Sequence, residues 1–321
     1  MRLSYSLGSL LTIDQILDCA KTLRKYNPDV VWISETWGME NFSMLSMVSQ
    51  IVSSKIGSSI INVYSRSPAL VAMGAATIDT ISNGRLILGL GTSSEPIVED
   101  WHGQKFEQPV SRLKECVEII RLVLSGKKVD FNGKFFSLKD FSLLIKPPRK
   151  QIPIYLAAIN QKMIDLTWQI ADGVIFYLRP ISELKETVER MQKKRRIDTT
   201  CQIITCVSED AEKAVIRAKK TIAFYVSLGS IYRDFLSKNG FKKETANIFD
   251  EYKKSGLKTN YEFVSDSMLN ELTICGTPSK CIKKLQKFRQ TGIDLPIIQF
   301  NPIDNVSESF KLLASTLSDT N

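Results

Sequence analysis

Few residues in this chain combine reactive chemistry with a useful spacing, and those few follow short apolar runs. Glu35 comes directly after Val31-Trp-Ile-Ser34 and before Thr36-Trp37. A carboxylate there could act as a general acid or base, or could be an ordinary loop or helix acid. His102, the only histidine, stands beside Trp101; it could carry a proton near neutral pH or serve a structural purpose. Gly89-Leu-Gly91-Thr92 resembles a phosphate loop. It lacks the third glycine of a dinucleotide fingerprint and the Gly-Lys-Ser/Thr of a P-loop. Two readings stay open for it: a plain glycine-rich turn, or a close backbone approach to a flat ring or phosphate. Ala157-Ala158-Ile159-Asn160 reads as a strand-to-helix turn of small residues whose backbone N–H groups suit an anion. Arg179 could add a charge-assisted contact to the same phosphate, or be a surface cation ahead of Pro180. Ile60-Ile61-Asn62 ends a further apolar run and completes the set.

The missing chemistry is as informative. None of the six cysteines forms a Cys-x-x-Cys pair, and one histidine cannot complete a zinc site, so no metal is expected. Reduced, buried thiols are the expectation. No nucleophile–base pair is legible from spacing. A chain with so few catalytic groups of its own fits chemistry carried by a cofactor.

These residues need a frame, and the rest of the chain supplies one. Apolar runs at Leu3–Leu7, Asp29–Ser34, Ile56–Asn62, Arg85–Leu90, Pro153–Ala158, Gly173–Leu178, Gln202–Val207 and Pro296–Phe300 read as eight strands. Amphipathic helical patterns separate them. Thr12 and Gln15 make a capping box, Ser67-Pro68 an N-cap with proline in the first turn, and Ser208-Glu-Asp210 an acidic helix start. Eight strands alternating with helices predict a parallel sheet, and the count predicts its closure into an α/β (β/α)8 TIM barrel. Residues 127–150 carry a weak Asn132-Gly133 hairpin signal, and 229–272 look helical and strandless; both read as insertions into a single domain spanning 1–321. Such a barrel places its site at the C-terminal strand ends, where every candidate above falls.

Composition limits the partners. A chain of 321 residues, 43% hydrophobic, can bury its core without disulfide or metal. No window approaches the roughly 18 uninterrupted apolar residues of a membrane span. The N-terminal stretch is broken by Ser4, Ser6 and Gly8, so a cytoplasmic protein is expected. The net charge of +9 concentrates after residue 100, and its densest cluster, Lys193 to Arg196, ends an amphipathic helix where cations suit the dipole. That favours a solvated helix end over a nucleic-acid contact, while the excess could still favour an anionic ligand.

At the candidate positions the sequence resembles the bacterial-luciferase-like family of flavin- and deazaflavin-dependent oxidoreductases. The resemblance rests on Val31-Trp-Ile-Ser-Glu35, Gly57-Ser-Ser-Ile-Ile-Asn62, Ser65-Arg-Ser-Pro68 and the run Thr77 to Gly91. It continues through Ile152 to Ala158, Ile170-Ala-Asp-Gly173 and Cys275-Gly-Thr-Pro278. Gly91 to Gly103, with Phe106, Pro109 and Arg112, is similar to the deazaflavin-dependent branch, which includes methylenetetrahydromethanopterin reductase. The resemblance implies coenzyme F420, with FMN as the alternative, and hydride transfer to or from a small organic substrate. An FMN monooxygenase and a non-catalytic flavin-binding protein are the competing implications. It also implies a non-prolyl cis peptide at Ser59–Ile60 behind the cofactor ring, phosphate near Ala157 to Ile159 with Arg179 close by, and a homodimer through helices near strands two and three. Four positions depart from the family pattern. Thr36 stands for a histidine, Ile159-Asn160 for a glycine-rich pair, Ser6 for an acid in strand one, and Ser94, beside Glu95, for another acid.

Overall fold

Each apolar run becomes a parallel strand because the helix after it carries the chain back to the starting end. The computed structural model describes residues 2–8, 10–149 and 151–318. Met1, Ser9, Lys150 and residues 319–321 fall within the expected single domain, and Lys150 ends the expected 127–150 insertion; they lie outside the described residues.

The chain begins β1 (Ser4–Leu7), α1 (Ile13–Leu23), β2 (Val30–Ile33), α2 (Asn41–Ser49), β3 (Lys55–Ser58), β4 (Ile61–Asn62), α3 (Pro68–Ile81) and β5 (Leu86–Gly91). A π-helical turn at Ile97–Trp101 leads into α4 (Pro109–Leu124). The hairpin β6 (Val129–Asn132) and β7 (Ser137–Phe141) follows as a separate antiparallel pair. Then come β8 (Ile154–Ala157), α5 (Gln161–Ile170), β9 (Gly173–Tyr177), α6 (Ile181–Gln192) and β10 (Asp198–Val207). Helices α7 (Ala211–Leu228), α8 (Ser230–Leu236), α9 (Lys242–Ser255) and α10 (Asp266–Leu272) precede β11 (Thr273–Gly276), α11 (Pro278–Arg289), β12 (Leu295–Phe300) and α12 (Val306–Ser318).

Eight strands close a ring in the order β1, β2, β3, β5, β8, β9, β10, β12 and back to β1, every pairing parallel. This is a TIM barrel, as the strand count predicts. The helix starts follow local chemistry: the Thr12–Gln15 capping box forms, Ser67 caps α3, and Asp210, rather than Ser208, caps α7.

Two features escape the sequence pattern. Strand β10 begins four residues before the expected Gln202, because Asp198-Thr-Thr is too polar to read as part of an apolar run. It is also long enough to leave β9 at Gln202 and take β11 as its neighbour from Ile204 upward. Residues 273–276 are thus a ninth parallel strand outside the ring, absent from the eight predicted.

The overshoot changes what lies beside the barrel mouth. Ile204, Cys206 and Cys275 do not join the main core between barrel and helices. They pack with Ala218, Ile222 and Val226 of α7 and with Leu236, Phe241 and Ile248 from the helices after it. Helix α7 and its followers therefore build a second core against the upper half of β10 and β11.

Candidate active site at the C-terminal end of the barrel

The strand registers sort the inward-facing residues into two levels. Toward the N-terminal end Val30, Trp32, Ile87, Tyr155, Ile175, Leu295 and Ile297 form an apolar plug. Toward the C-terminal end the same faces carry Ser6, Ser59, Gly91, Ala157, Tyr177, Gln202 and Gln299, all small or polar. That upper level is where a barrel of this type does its chemistry.

The third strand is built around a break. Between β3 and β4 the Ser59–Ile60 peptide is cis, as the resemblance implies. The ladder gap is bridged by Ser58, whose Oγ accepts the Gly89 N–H at 2.8 Å and donates to the Gly89 carbonyl at 2.8 Å. A Cβ on Gly89 would lie 1.8 Å from the Ser58 carbonyl oxygen, so no side chain fits there. One on Gly91 would meet Ile60 Cδ1 at 2.8 Å. These two glycines thus serve the close approach of strands three and four to each other, a use the sequence does not reveal. Ile60 lies against the apolar plug at this level. Asn62 accepts the Tyr64 N–H through Oδ1 at 3.0 Å, and Thr92 follows β5, half-buried.

Glu35 is committed to an ion pair. Arg66 donates to both of its carboxylate oxygens at 2.7 Å, and Asn41 N–H donates to Oε2 at 2.8 Å. Arg66 also reaches Glu40 at 2.5 Å, which itself caps α2. The hydrogen bond to Glu35 raises the Arg66 guanidinium above its ordinary value, overcoming burial. The arrangement ties the loop after β2, the start of α2 and the loop after β4 into one unit. Sequence reasoning missed Arg66, although Ser65-Arg-Ser-Pro68 lay within the quoted resemblance; its partner is 31 positions away and no periodicity joins them.

Arg179 is not the surface cation of one reading. Its side chain is fully buried, paired with Glu183, and donates to the Ile159 carbonyl. Phe176 and Phe235 cover its faces at 4.5 and 4.7 Å. Burial lowers its pKa against the pull of Glu183. It therefore holds the 157–160 turn in place. In that turn Ala158 N–H donates to the Ile175 carbonyl at 3.3 Å, so this amide is not free as expected. Asn160 caps α5 by accepting the Met163 N–H at 3.0 Å. The earlier first-turn amides have no acceptor within the helix itself.

His102 is half-buried on the loop after β5, its backbone N–H on the Ile97 carbonyl at 3.1 Å. That loop is pinned near the end of the third strand. The Tyr64 hydroxyl donates to the Glu107 carbonyl at 2.9 Å, and Phe106 lies 5.6 Å from the Tyr64 ring. On the opposite side Trp37 meets Phe224 of α7 at 6.4 Å.

Among the described residues, the buried polar atoms without a well-formed hydrogen bond at this level include Thr36 Oγ1 after β2, Asn62 Nδ2 at the end of β4, Tyr177 OH at the end of β9 and Gln202 Oε1 midway along β10. Native proteins leave few such groups, and each one denied a ligand or water costs about 1–3 kcal/mol. A planar polar group bound at this level offers the donors and acceptors that such atoms lack. The residues present therefore fit a flavin-type ring.

A parallel barrel with a polar, underpartnered C-terminal lumen and a cis-broken third strand defines a cofactor-holding barrel enzyme architecture. More narrowly, the chain belongs to the luciferase-like monooxygenase family, whose model matches residues 2–295. It is 30% identical over 280 residues to the 5,10-methylenetetrahydromethanopterin reductase of Archaeoglobus fulgidus, covering 83% of each chain. It is 27% identical over 316 residues to the enzyme of the same name from Methanolobus tindarius, covering 94% of this chain and 95% of that one. The structure of the coenzyme F420-dependent tetrahydromethanopterin reductase from Methanopyrus kandleri superposes with a TM-score of 0.87 over 98% of both chains at 21% identity, a likeness of fold.

Proposed function

We propose that the protein is an oxidoreductase that holds coenzyme F420 at the C-terminal end of its barrel and passes a hydride between it and a small organic substrate. The observation that carries this reading is the unpartnered polar level facing the cis Ser59–Ile60 bond. A Mycobacterium tuberculosis relative named a putative coenzyme F420-dependent oxidoreductase, 26% identical over 310 residues, supports the choice of coenzyme, and the two similar reductases make methylenetetrahydromethanopterin the first substrate to test. When bound, the coenzyme supplies the hydride acceptor or donor.

The chain's own residues then divide the remaining work. Ser59 and Ile60 back the ring, and Gly89 and Gly91 let that wall close up behind it. The amides at the start of α5 receive phosphate, with Arg179 fixing the turn from behind rather than touching the anion. Asn62, Thr92, Ala157 and Ala158 line the same level. Glu35, with both oxygens engaged, sets the loop after β2 through Arg66; His102 is the remaining candidate for a proton. The 229–272 segment acts as an insertion that walls one side of the mouth. Exposed Met47, Leu70, Met73 and Ile81 on α2 and α3 suit a homodimer contact. Among the described residues no helix is long and apolar enough to cross a membrane.

The test is a fluorescence titration of the purified protein with F420 and with FMN. Saturable quenching by F420 is expected; tight FMN binding with none for F420 sinks the proposal in favour of the monooxygenase reading. Reduced-coenzyme oxidation against candidate acceptors follows, and no turnover with any of them favours a binding protein. Glu35→Gln should lower turnover more than coenzyme affinity, and Arg66→Met should reproduce it. Unchanged turnover in Glu35→Gln removes that residue from the mechanism.

A further inference from the structure

Three amide side chains climb the inner wall at the meeting of β10 and β12. Asn301 Nδ2 donates to the Gln299 carbonyl at 2.9 Å and to the Thr205 carbonyl at 3.5 Å. Backbone carbonyls only accept, so Asn301 must face them with its NH2 group, and its Oδ1 faces away. Gln299 Nε2 stands 3.5 Å from that Oδ1. Gln299 Oε1 in turn receives Gln202 Nε2 at 3.2 Å. The backbone thus fixes the direction of the whole chain, which ends in Gln202 Oε1, an acceptor that is buried and unpaired. The two carbonyls settle which way the Asn301 amide faces, and the orientations of Gln299 and Gln202 follow from it.

Directly across the strand pair stands a complementary group. Tyr177 is the register partner of Gln202, and the two side chains leave neighbouring strands about 4.8 Å apart on the same inner face. Its hydroxyl is also buried and makes no well-formed hydrogen bond, although the Tyr225 hydroxyl and the Gln299 amide interact with it weakly from beside it. Tyr225 and Tyr232 enclose its ring edge-on at 5.0 and 5.6 Å. Burial raises the phenol well above its ordinary pKa, which keeps it a donor. Strand one presents Ser6 at this level, whose Oγ lies 3.5 Å from Ser59 Oγ, and among the described residues no carboxylate hydrogen-bonds to Gln202 or Tyr177.

We infer that Gln202 Oε1 and the Tyr177 hydroxyl form an acceptor–donor pair that reads the uncharged cis-amide edge of a ring, an N–H beside a C=O. The inference rests on the proposed function, in which two molecules carry such an edge: the pyrimidinedione of the deazaflavin and the pterin of the substrate. Gln299 and Asn301 act as positioning residues by orienting Gln202.

The test uses the full chain and four probes: F420, its 8-hydroxy-5-deazaflavin chromophore, the N3-methyl derivative of that chromophore, and 6-methylpterin added to F420-loaded protein. Affinities are read by fluorescence. If the edge is the coenzyme's, the wild type prefers the parent chromophore over the N3-methyl form by about tenfold, the scale of one net hydrogen bond. Gln202→Met and Tyr177→Phe then each weaken F420 by a similar factor and erase the preference. If the edge is the pterin's, F420 affinity and the N3-methyl comparison stay flat while the same variants weaken 6-methylpterin about tenfold. Either result supports the inference and assigns the edge. The wild-type N3-methyl comparison needs no variant, and circular dichroism verifies that both variants fold. Wild-type and variant proteins that bind every probe alike overturn the inference while leaving the functional reading intact. A wild type that binds neither F420 nor FMN takes down that reading, and the inference falls with it.

Discussion

The lower and upper halves of the barrel lumen use the same residue types in opposite ways. In the lower half Ser4, Trp32 and Tyr155 each have a partner. Trp32 Nε1 donates to Ser4 Oγ at 3.0 Å, Ser4 donates to the Pro296 carbonyl at 2.9 Å, and the Tyr155 hydroxyl donates to Asp198. Arg2 closes the lower end with two bonds to Asp198 at 2.7 and 2.9 Å. In the upper half Tyr177, Gln202, Asn62 and Thr36 each keep a buried polar atom without one. Satisfied polar groups fix one structure; unsatisfied ones cost stability unless something else completes them. The fold has placed its stability at one end of a single cylinder and its capacity for a guest at the other.

The boundary between the halves is the place where the largest effect is expected. Gly89→Ala puts a methyl 1.8 Å from the Ser58 carbonyl, backbone against backbone, so nothing flexible can yield. Overpacking of this kind should cost about 3 kcal/mol or more, and urea denaturation should show it as a large fall in midpoint or as a failure to fold. A tolerated Gly89→Ala breaks the comparison, because strands three and four would not need their close contact. Asp198→Ala comes next. It strands the Tyr155 hydroxyl and takes the main partner of the Arg2 guanidinium, but Arg2 keeps Asp29 at 3.7 Å and is 37% exposed, so water can partly replace what is lost. A loss of about 2 kcal/mol is expected, below the 3–5 kcal/mol of a fully buried broken pair.

Much of this was legible in the sequence, and the rest was not for identifiable reasons. Strands announced themselves as apolar runs because barrel strands are buried on both faces. The exception was β10, whose polar Asp198-Thr-Thr start belongs to the satisfied lower network and so carries no apolar signal. The four-residue β11 was invisible because it pairs only with the overshoot of β10, a tertiary circumstance. The candidate residues come together at the C-terminal end of the barrel, but their partners did not follow from the sequence. Arg66 sits 31 positions from Glu35, and Glu183 turns Arg179 inward from four residues away. Gly89 and Gly91 looked like a ligand turn, since a glycine imposed by a neighbouring strand leaves the same mark as one imposed by a phosphate. Gln202 and Gln299 drew no notice, because glutamine at a strand end is ordinary until the register sets two of them side by side.

The smallest expected effect sharpens the comparison most, because it sets one tyrosine against another. Tyr155 and Tyr177 both point into the lumen from neighbouring strands, β8 and β9. Burial raises the phenol pKa of each, so both are neutral donors at physiological pH. They differ in having a partner. Tyr155→Phe deletes the hydroxyl that answers Asp198 and leaves a carboxylate oxygen short of a bond, which should cost about 1–2 kcal/mol. Tyr177→Phe deletes a hydroxyl that makes no well-formed hydrogen bond and interacts only weakly with Tyr225 and Gln299, so stability should stay within about 0.5 kcal/mol or rise, because little buried bonding is lost and a desolvated polar atom disappears. Paired urea titrations of the two variants measure the difference directly. Equal losses in both would mean that Tyr177 has a partner inside the protein, and the upper half of the lumen would then be as self-sufficient as the lower.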